Sequence, residues 1–552
     1  MRRIILSAAA AMLSCTLFAQ TDSLRAVVNV HNEYNPVHIN VNKKSFVPTT
    51  AIGSSKSTPE YEFTSEAMPY IGFVSERDTR EVTKEPSRLY SGYARAGYGT
   101  GNGLDVKAAY NRDITARDNI RFFGALDGYK TGIRRFRERG KWDSRMYSSA
   151  AGIGYTHNFN ALRLDVGGDF GNRVFNYQRK ENAAGTGNSQ NSMNYGVYLN
   201  GESAPGSTFG YRFNAAYMDY SRKYSAGSDK GINEKRICAG AGIWYGIENR
   251  EVRKAGFAVS VDAYLFNRTL RKAAHPYRDY CLINADPFID FMFGGWDMHL
   301  GAKMNLLTAN GPVFAIAPDI KIRKAFDERV SLYASATGGR TGNSLAHIGS
   351  ITPYWNFDNE ASTRLKPTYR IADTEAGATF TAGAFSLDVA AGYAYTKDDV
   401  LQYCSEGTDV PYDIIYSNIA QCNTHDVHVS LGAGYDLGGW LRIAGDCRYD
   451  FWDCSKRALL MMKPEVTCNL NAEVKPFRGF TFNVGYNFML FTKSAGTRAN
   501  SKNDLSARIN YNIFPWLGVY IQGSNLLNDR YLEYAGYEAR GARGLLGVSA
   551  NF

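Results

Sequence analysis

Apolar and polar residues alternate along most of the chain. Between Phe257 and Leu265 every second residue is apolar, while Ser260 and Asp262 occupy positions in between. The same alternation recurs at 162–170, 316–323 and 441–451. A period of two is that of a β-strand, whose successive side chains point to opposite faces of the sheet. The pattern therefore predicts an all-β chain whose strands meet water on one face and lipid or a protein core on the other.

The predicted strands are long. Runs of about ten to thirteen residues match the length that a tilted strand needs to cross a bilayer, whereas strands of soluble sheets usually have about five or six residues. This length favours a transmembrane β-barrel over two alternatives, a series of secreted β-sandwiches and a β-propeller.

Two kinds of connection alternate along the sequence. Short turns are predicted at 115–119, 158–161, 436–439 and 475–479. Longer polar loops are predicted at 131–145, 180–191, 225–234, 342–369 and 401–420. Short periplasmic turns and long external loops are typical of outer-membrane barrels. Counting over residues 88–552 predicts a transmembrane antiparallel β-barrel of about 22 strands, whose last strand ends on an aromatic residue, Phe552.

The first residues have the layout of a secretory signal peptide. Arg2 and Arg3 precede an apolar run too short to span a bilayer, and small-residue cleavage is available after Ala19. The alternative is a lipoprotein signal ending at Cys15, which Met12 disfavours because it is a poor residue three positions before such a cysteine. We predict a signal peptide over 1–19 and a mature protein in the outer membrane of a Gram-negative cell.

Residues 20–87 differ from the barrel region in composition. They are polar, and Pro36 and Pro48 indicate an extended rather than globular segment. Beyond residue 87 no linker interrupts the sequence, which is rich in Gly (54 in the chain) and Tyr (37) and poor in Pro (16). We expect 20–87 to lie in the periplasm or the barrel lumen.

The chain carries a formal net charge of +10. Basic residues cluster on one predicted loop: Arg134, Arg135, Arg137, Arg139 and Lys141. Guanidinium groups bind phosphates through paired hydrogen bonds, so this loop is a candidate anion-binding site for lipopolysaccharide or an acidic ligand. The alternative is a solvated loop without a specific ligand. Outer-membrane lipid is an expected partner, whereas nucleic acid is not, because the compartment is wrong and no binding motif is present.

Seven of the eight cysteines lie beyond the predicted signal peptide. Export permits disulfides, and Cys404 and Cys422 bracket one predicted external loop, which makes them the candidate pair. Three others fall on or near one hairpin, Cys447, Cys454 and Cys468, where Cys454 meets Cys447 or stays reduced.

The sequence offers no chemistry for catalysis or metal binding. No Cys-x-x-Cys spacing is present. His425 and His428 are separated by an odd number of positions, so on a strand they face opposite sides and make a poor ligand pair. A Gly-x-Ser-x-Gly motif is also missing. We therefore expect a protein that is not an enzyme and has no cofactor or metal.

Three stretches of the barrel region share a pattern with one known family. They are Gly97-Tyr98-Gly99-Thr100 with Asp127-Gly128-Tyr129, Leu365-Lys366-Pro367 with Glu375 and Gly377, and Gly523-Ser524-Asn525-Leu526-Leu527-Asn528-Asp529-Arg530-Tyr531 with Gly536-Tyr537, Arg540, Gly541 and Phe552. In this pattern the region 88–552 resembles the barrel of TonB-dependent outer-membrane receptors, although Thr368 replaces a Glu of the family. The resemblance implies import of a nutrient such as vitamin B12 or an iron chelate, with TonB as a partner.

One short β-prone run is similar to the family's TonB box, the extended segment that adds a strand to TonB. It comprises Val27, Val28, Asn29 and Val30. The alternative interpretation is an ordinary extended stretch. In either case the run lies in the segment that we expect to reach a periplasmic or outer-membrane partner.

The resemblance does not extend to the plug domain that fills such barrels. Residues 20–87 contain none of its motifs, and we expect no recognisable plug. A barrel of this circumference would leak if it were empty, so we expect infolded loops, the N-terminal segment or a partner protein to occupy the lumen. The predicted function is uptake or passage of a nutrient across the outer membrane. The alternative is a plugless structural component of an outer-membrane assembly, recruited through its N-terminal arm and loops.

Overall fold

The computed structural model describes residues 90–135, 140–178, 189–204, 207–224, 231–247, 252–271, 277–327, 329–356, 365–404, 414–493 and 499–552, with two short paired strands, Val28–Asn29 and Glu62–Phe63. The signal peptide predicted over 1–19 and most of the segment 20–87 lie outside these residues. Both therefore stay predictions, as does the missing plug.

The described chain folds into a closed antiparallel barrel of 22 strands, as the sequence predicts. In chain order β1 to β22 the strands are Gly92–Gly99, Gly103–Asp113, Asp118–Arg134, Lys141–Asn158, Leu162–Asn176, Ser189–Ser203, Phe209–Arg222, Ile232–Gly246, Val252–Phe266, Tyr280–Phe293, Trp296–Leu307, Phe314–Ala325, Val330–Thr341, Thr368–Ala382, Phe385–Tyr403, Ser417–Leu437, Leu441–Cys454, Pro464–Val474, Phe480–Phe491, Lys502–Phe514, Leu517–Ser524 and Arg543–Asn551. Many exceed the predicted ten to thirteen residues, and β16 reaches 21 residues because it continues beyond the membrane.

The connections contain little further regular structure. Two short helices lie at one end of the barrel, α1 (Arg268–Arg271) and α2 (Leu345–Ile351), as does a short 3₁₀ segment, Arg457–Met462. Within the described ranges, no helix combines the length and apolar character needed to cross a membrane.

The barrel closes between its first and last strands. β22 pairs with β1, with Val548 opposite Ala96. The N–H of Phe552 donates to the carbonyl of Gly92 at 2.9 Å, and the N–H of Gly92 donates to the carbonyl of Phe552 at 2.6 Å. A Cβ on Gly92 would overlap the Phe552 ring, so only glycine leaves room for the terminal aromatic. Closure satisfies the strand edges, which a bilayer cannot do.

Alternation sorts the side chains onto two faces, as predicted. In β16, Val427, Val429 and Leu431 are each about half exposed on the outside (48–49%). Asp426 and His428, which lie between them, are buried. Apolar rows of this kind on successive strands form the belt that faces lipid, and the polar rows face the lumen.

The two rims of the barrel differ in the length of their connections. The short turns lie at the rim that also carries Gly92 and Phe552, and they include all four predicted turns. The long loops lie at the opposite rim, which we call the external mouth. Two clusters of buried apolar residues also lie near this mouth, on the lumen side of the strands.

Candidate functional site

The external mouth is bridged by its own loops. Strands β5 and β16 are eleven positions apart in either direction around the ring of 22 strands. Nevertheless, the N–H of Ile415, just before β16, donates to the carbonyl of Gln178, just after β5, at 2.9 Å. The rings of Tyr177 and Tyr416 lie beside this bond, with centroids 5.2 Å apart. The chain therefore crosses the mouth from one wall to the opposite wall.

The loop between β13 and β14 folds inward and carries helix α2. The hydroxyl of Ser344 caps the helix by accepting the N–H of His347 at 3.0 Å. Leu345 and Ile348 are completely buried, in one cluster with Tyr264 and Tyr280 of the wall. An apolar helical stripe inside a polar lumen needs such a partner surface, and the aromatic residues of β9 and β10 provide it.

Close approach of this loop to the wall depends on a glycine. A Cβ on Gly342 would overlap the Tyr264 hydroxyl. The Tyr264 ring is also stacked on Tyr280, with centroids 4.5 Å apart and an interplanar angle of 12°. Because neither ring has space to move, the loop descends into the lumen only with glycine at position 342.

Polar side chains of the wall anchor the loop at both ends of the helix. The carboxylate of Glu234 on β8 accepts the N–H of Leu345 at 2.7 Å. The guanidinium of Arg222 on β7 donates to the carbonyls of Pro353 and Trp355 at 3.2 Å and 3.1 Å and lies 4.0 Å from the Trp355 ring. These charge-assisted bonds satisfy loop backbone groups that burial would otherwise leave without partners.

The last loop, between β21 and β22, completes the closure. The ring of Tyr537 stacks on Tyr354, with centroids 3.6 Å apart and an interplanar angle of 6°. Its hydroxyl donates to the carbonyl of Ile415. Arg540 lies 3.8 Å above the ring of Tyr129 on β3. Four loops and three wall strands (β3, β4 and β5) thus meet in one mainly aromatic cluster, which we call the mouth cluster: Tyr129, Ile133, Trp142, Phe175, Tyr177, Tyr354, Tyr416 and Tyr537.

The mouth cluster excludes solvent and carries no reactive group. Burial raises the pKa of both Tyr354 and Tyr537 well above the usual value for tyrosine, so these phenols stay neutral hydrogen-bond donors at physiological pH. The arrangement suits a closed gate held by packing and hydrogen bonds.

The predicted anion-binding loop lies at the rim of the same mouth. Arg134 ends β3 and faces Lys141 of β4 across the hairpin, and the N–H of Arg135 donates to the carbonyl of Gly140 at 3.2 Å. Arg137 and Arg139 lie outside the described residues. The binding of lipopolysaccharide or another anion therefore stays a prediction.

The TonB-box-like segment is described only in part. Val28–Asn29 pairs antiparallel with Glu62–Phe63, while Val27 and Val30 lie outside the described residues. Whether this segment binds TonB or another partner stays a prediction.

The predicted Cys404–Cys422 disulfide is not formed. Cys422 lies at the start of β16, with its sulfur 3.4 Å from the Ser455 hydroxyl, whereas Cys404 lies beside Gly536 of the last loop. The disulfide that does form joins Cys447 of β17 to Cys468 of β18. These two cysteines are direct cross-strand neighbours, so the register of the strands brings them together. Sequence separation alone did not contain this information.

Sequence reasoning also missed the residues of the gate. Length and polarity predict a solvated loop at 342–369, although Leu345 and Ile348 within it are of residue types that are usually buried, and Tyr354 and Trp355 are large aromatic residues. The same signal is present in the last loop, where Tyr531, Tyr534 and Tyr537 recur. Apolar and aromatic residues in a supposedly solvated loop are the signal that could have identified infolding.

Comparison with known proteins identifies the fold. No protein-family model matches the chain, and no curated protein matches it in sequence. Solved structures do match. The ferric enterobactin receptor PfeA of Pseudomonas aeruginosa is 10% identical over 84% of this chain and 80% of its own, with a TM-score of 0.60. The FrpB iron transporter of Neisseria meningitidis is 13% identical over 84% of this chain and 81% of its own, with a TM-score of 0.61. The ferric-catecholate import receptor Fiu of E. coli K12 is 10% identical over 85% of this chain and 82% of its own, with a TM-score of 0.60.

These similarities confirm, at the level of fold, the resemblance to TonB-dependent receptors that the sequence indicates. The chain has the 22-stranded barrel fold of these outer-membrane receptors. At these identities the comparison does not extend to ligands.

Proposed function

We propose that the chain is an outer-membrane uptake receptor whose external mouth is held shut by its own loops until a ligand displaces them. The observation that carries the proposal is the bridge between opposite walls, where Ile415 bonds Gln178 and Tyr354 stacks on Tyr537. A passive porin has no use for a mouth sealed by buried aromatic rings. A receptor does need such a sealed mouth, because selective uptake requires a barrier that only the correct ligand opens.

Ferric chelates are the first ligand class to test. The compared proteins are a ferric enterobactin receptor, an iron transporter and a ferric-catecholate import receptor. The mouth itself carries aromatic rings and the guanidinium of Arg540, which lies over the ring of Tyr129. This combination suits a flat, anionic aromatic ligand. The architectural alternative gains no support from these comparisons.

Single-channel conductance of the full-length protein in a planar bilayer tests the gate. We expect few or no openings in the unmodified protein. Replacing residues 345–355 by a Gly-Ser linker of equal length should produce large, steady openings. The control replaces residues 475–478, in the turn between β18 and β19 at the opposite rim, and should stay silent. Steady openings of the unmodified protein would contradict the proposal, and so would a silent 345–355 variant that is folded.

Uptake is tested in cells. A strain that lacks this protein would be compared with the same strain carrying the gene on a plasmid. Accumulation of a panel of radiolabelled ferric chelates would be measured in both strains, with and without TonB. Uptake that needs both this protein and TonB supports an energised receptor. Equal accumulation in both strains for every chelate would exclude this ligand class and leave the gate to be tested with other nutrients.

A further inference from the structure

We propose that the lumen wall formed by β14 to β17 binds a first-row divalent cation, a property separate from transport. The proposed site is a group of inward-facing side chains that we call the lumen cluster. It comprises Asp373, Glu375, Asp426, His428 and Asp450, together with Arg370 and Arg448.

Strand register aligns the cluster in one row. Glu375 of β14 lies opposite Gly392 of β15, which lies opposite His428 of β16, which in turn lies opposite Asp450 of β17. Side chains in such a row point to the same face of the sheet. Two carboxylates and an imidazole from three strands therefore project together into the lumen.

Gly392 gives the imidazole its position. A Cβ at this position would overlap Nε2 of His428, so any other residue would push the ring away. With glycine there, the ring leans across β15 until Nε2 lies 3.7 Å from Oε2 of Glu375. Its Nδ1 lies 3.3 Å from Oδ2 of Asp426. The glycine thus brings His428 within reach of carboxylates on both sides.

The spacing of the donor atoms suits a single ion. One ligand atom each from Asp426, His428 and Asp450 lie within 4.8 Å of one another, and all three residues are buried. Metal–ligand distances of about 2.0–2.2 Å place two ligands of one ion at most roughly 4.4 Å apart. Small side-chain rotations would therefore close these three donors around a cation.

Some carboxylate oxygens of the cluster lack a partner. Arg448 contacts one oxygen of Asp426 at 3.1 Å and one of Asp450 at 2.6 Å, and Arg370 contacts Oδ2 of Asp373 at 3.1 Å. Among the described residues, Oδ1 of Asp426 and Oδ1 of Asp373 accept no hydrogen bond, although both side chains are at least 95% buried. Buried acceptors of this kind are costly unless something satisfies them.

The charge of the cluster points to the same ligand. When all four carboxyl groups are ionised and His428 is neutral, they exceed the two guanidiniums by two negative charges. A divalent cation would balance this excess. Imidazole together with carboxylates favours Zn²⁺, Mn²⁺, Fe²⁺, Co²⁺ or Ni²⁺ over Ca²⁺ and Mg²⁺, which prefer oxygen ligands alone.

Metal binding to the purified full-length protein tests the proposal. Chelator-treated protein in detergent would be titrated with Zn²⁺ by calorimetry, with the bound metal counted by mass spectrometry and Co²⁺ used as a spectroscopic probe of imidazole coordination. We expect one ion per chain. His428→Gln and Asp450→Asn should each weaken binding of the ion by about a hundred-fold or more. Loss of a residue that only hydrogen-bonds to a metal ligand usually weakens binding by about ten- to a hundred-fold.

His425→Gln is the matched control, because His425 lies on the same strand but faces away from the lumen and stacks on Tyr395. It should leave metal binding unchanged. A difference in gel mobility between unheated and heated samples would confirm that every variant is folded. Two outcomes would overturn the proposal: no binding to the unmodified protein, or equal binding by the His428→Gln variant. Because no step involves transport, a failed uptake assay does not affect this test.

Discussion

The rings of Tyr354 and Tyr537 stack face to face, with centroids 3.6 Å apart, although one residue belongs to the loop after β13 and the other to the loop after β21. The two loops leave the barrel far from each other along the rim. They meet only because both fold into the mouth, and Ile415 is hydrogen-bonded at the same point. This contact is the closing point of the proposed gate.

Tyr354→Ala should open the mouth. Removing a buried aromatic ring costs about 3–5 kcal/mol, and the stacked pair adds about 0.5–1.5 kcal/mol. We expect frequent channel openings and greater sensitivity of cells to vancomycin, which intact outer membranes exclude. Tyr537→Ala should act alike, and the double variant should add little because both substitutions remove the same contact. Tyr449→Ala is the control, since that ring faces lipid. Additive effects of Tyr354 and Tyr537 would contradict a shared gate.

Glu234→Ala should loosen helix α2 without opening the barrel wall. The carboxylate is the partner of the Leu345 N–H, and an orphaned buried donor costs about 1–3 kcal/mol. Hydrogen exchange of the amides in Leu345–Ile351 should accelerate by about ten-fold or more. Glu234→Gln keeps an acceptor oxygen and should exchange nearly as slowly as the unmodified protein. Equal protection in the Ala variant would show that Glu234 does not anchor the loop.

Acid should weaken the gate through His347. Burial, and secondarily the charge of Arg236, lower the pKa of His347 from 6.5 to about 4. Because the infolded loop holds the neutral ring, released loops bind more protons between these two values, and closure is favoured less as pH falls from about 6.5 towards 4. Glu234 and Arg236 are the charged groups of β8 beside this helix. The contribution of His347 to channel opening should therefore grow from pH 7 to pH 4.5, measured as the difference between the unmodified protein and a variant without this imidazole.

His347→Gln isolates this effect, because glutamine does not titrate. The variant should lose most of the increase in opening while other acidic groups continue to titrate. An unchanged pH dependence in this variant would assign the acid response to other groups.

Cys447→Ser should lower the stability of the β17–β18 hairpin. The disulfide closes a loop with a sequence separation of 21, which corresponds to about 3 kcal/mol in the chain-entropy treatment. Samples heated to increasing temperatures before gel electrophoresis report the temperature at which the band of the folded barrel disappears. This temperature should fall in the variant, and reductant should lower it equally in the unmodified protein. Cys404→Ser should have no such effect. Unlinked Cys447 and Cys468 peptides in non-reducing mass spectrometry would refute the pairing.

The sequence by itself determined the barrel. Alternation in stretches such as 257–265 and 441–451 is a local property of the strand, so it reports directly which side chains face lipid. Strand number, the short turns and the aromatic end at Phe552 follow from the same local signals. They were sufficient to predict a transmembrane barrel of about 22 strands, whereas the likeness to TonB-dependent receptors rested on the three stretches that resemble that family. The opposite facing of His425 and His428 was also correct.

Only the tertiary structure decided what happens inside the barrel. The contact between Tyr354 and Tyr537, the bridge from Gln178 to Ile415 and the Cys447–Cys468 disulfide all join positions whose proximity depends on closure and register. The row of Glu375, His428 and Asp450 depends in addition on a glycine in the strand between them. Periodicity along the chain contains no information on which residues meet across a lumen. That information comes from long-range packing, which fixes the gate and the lumen cluster.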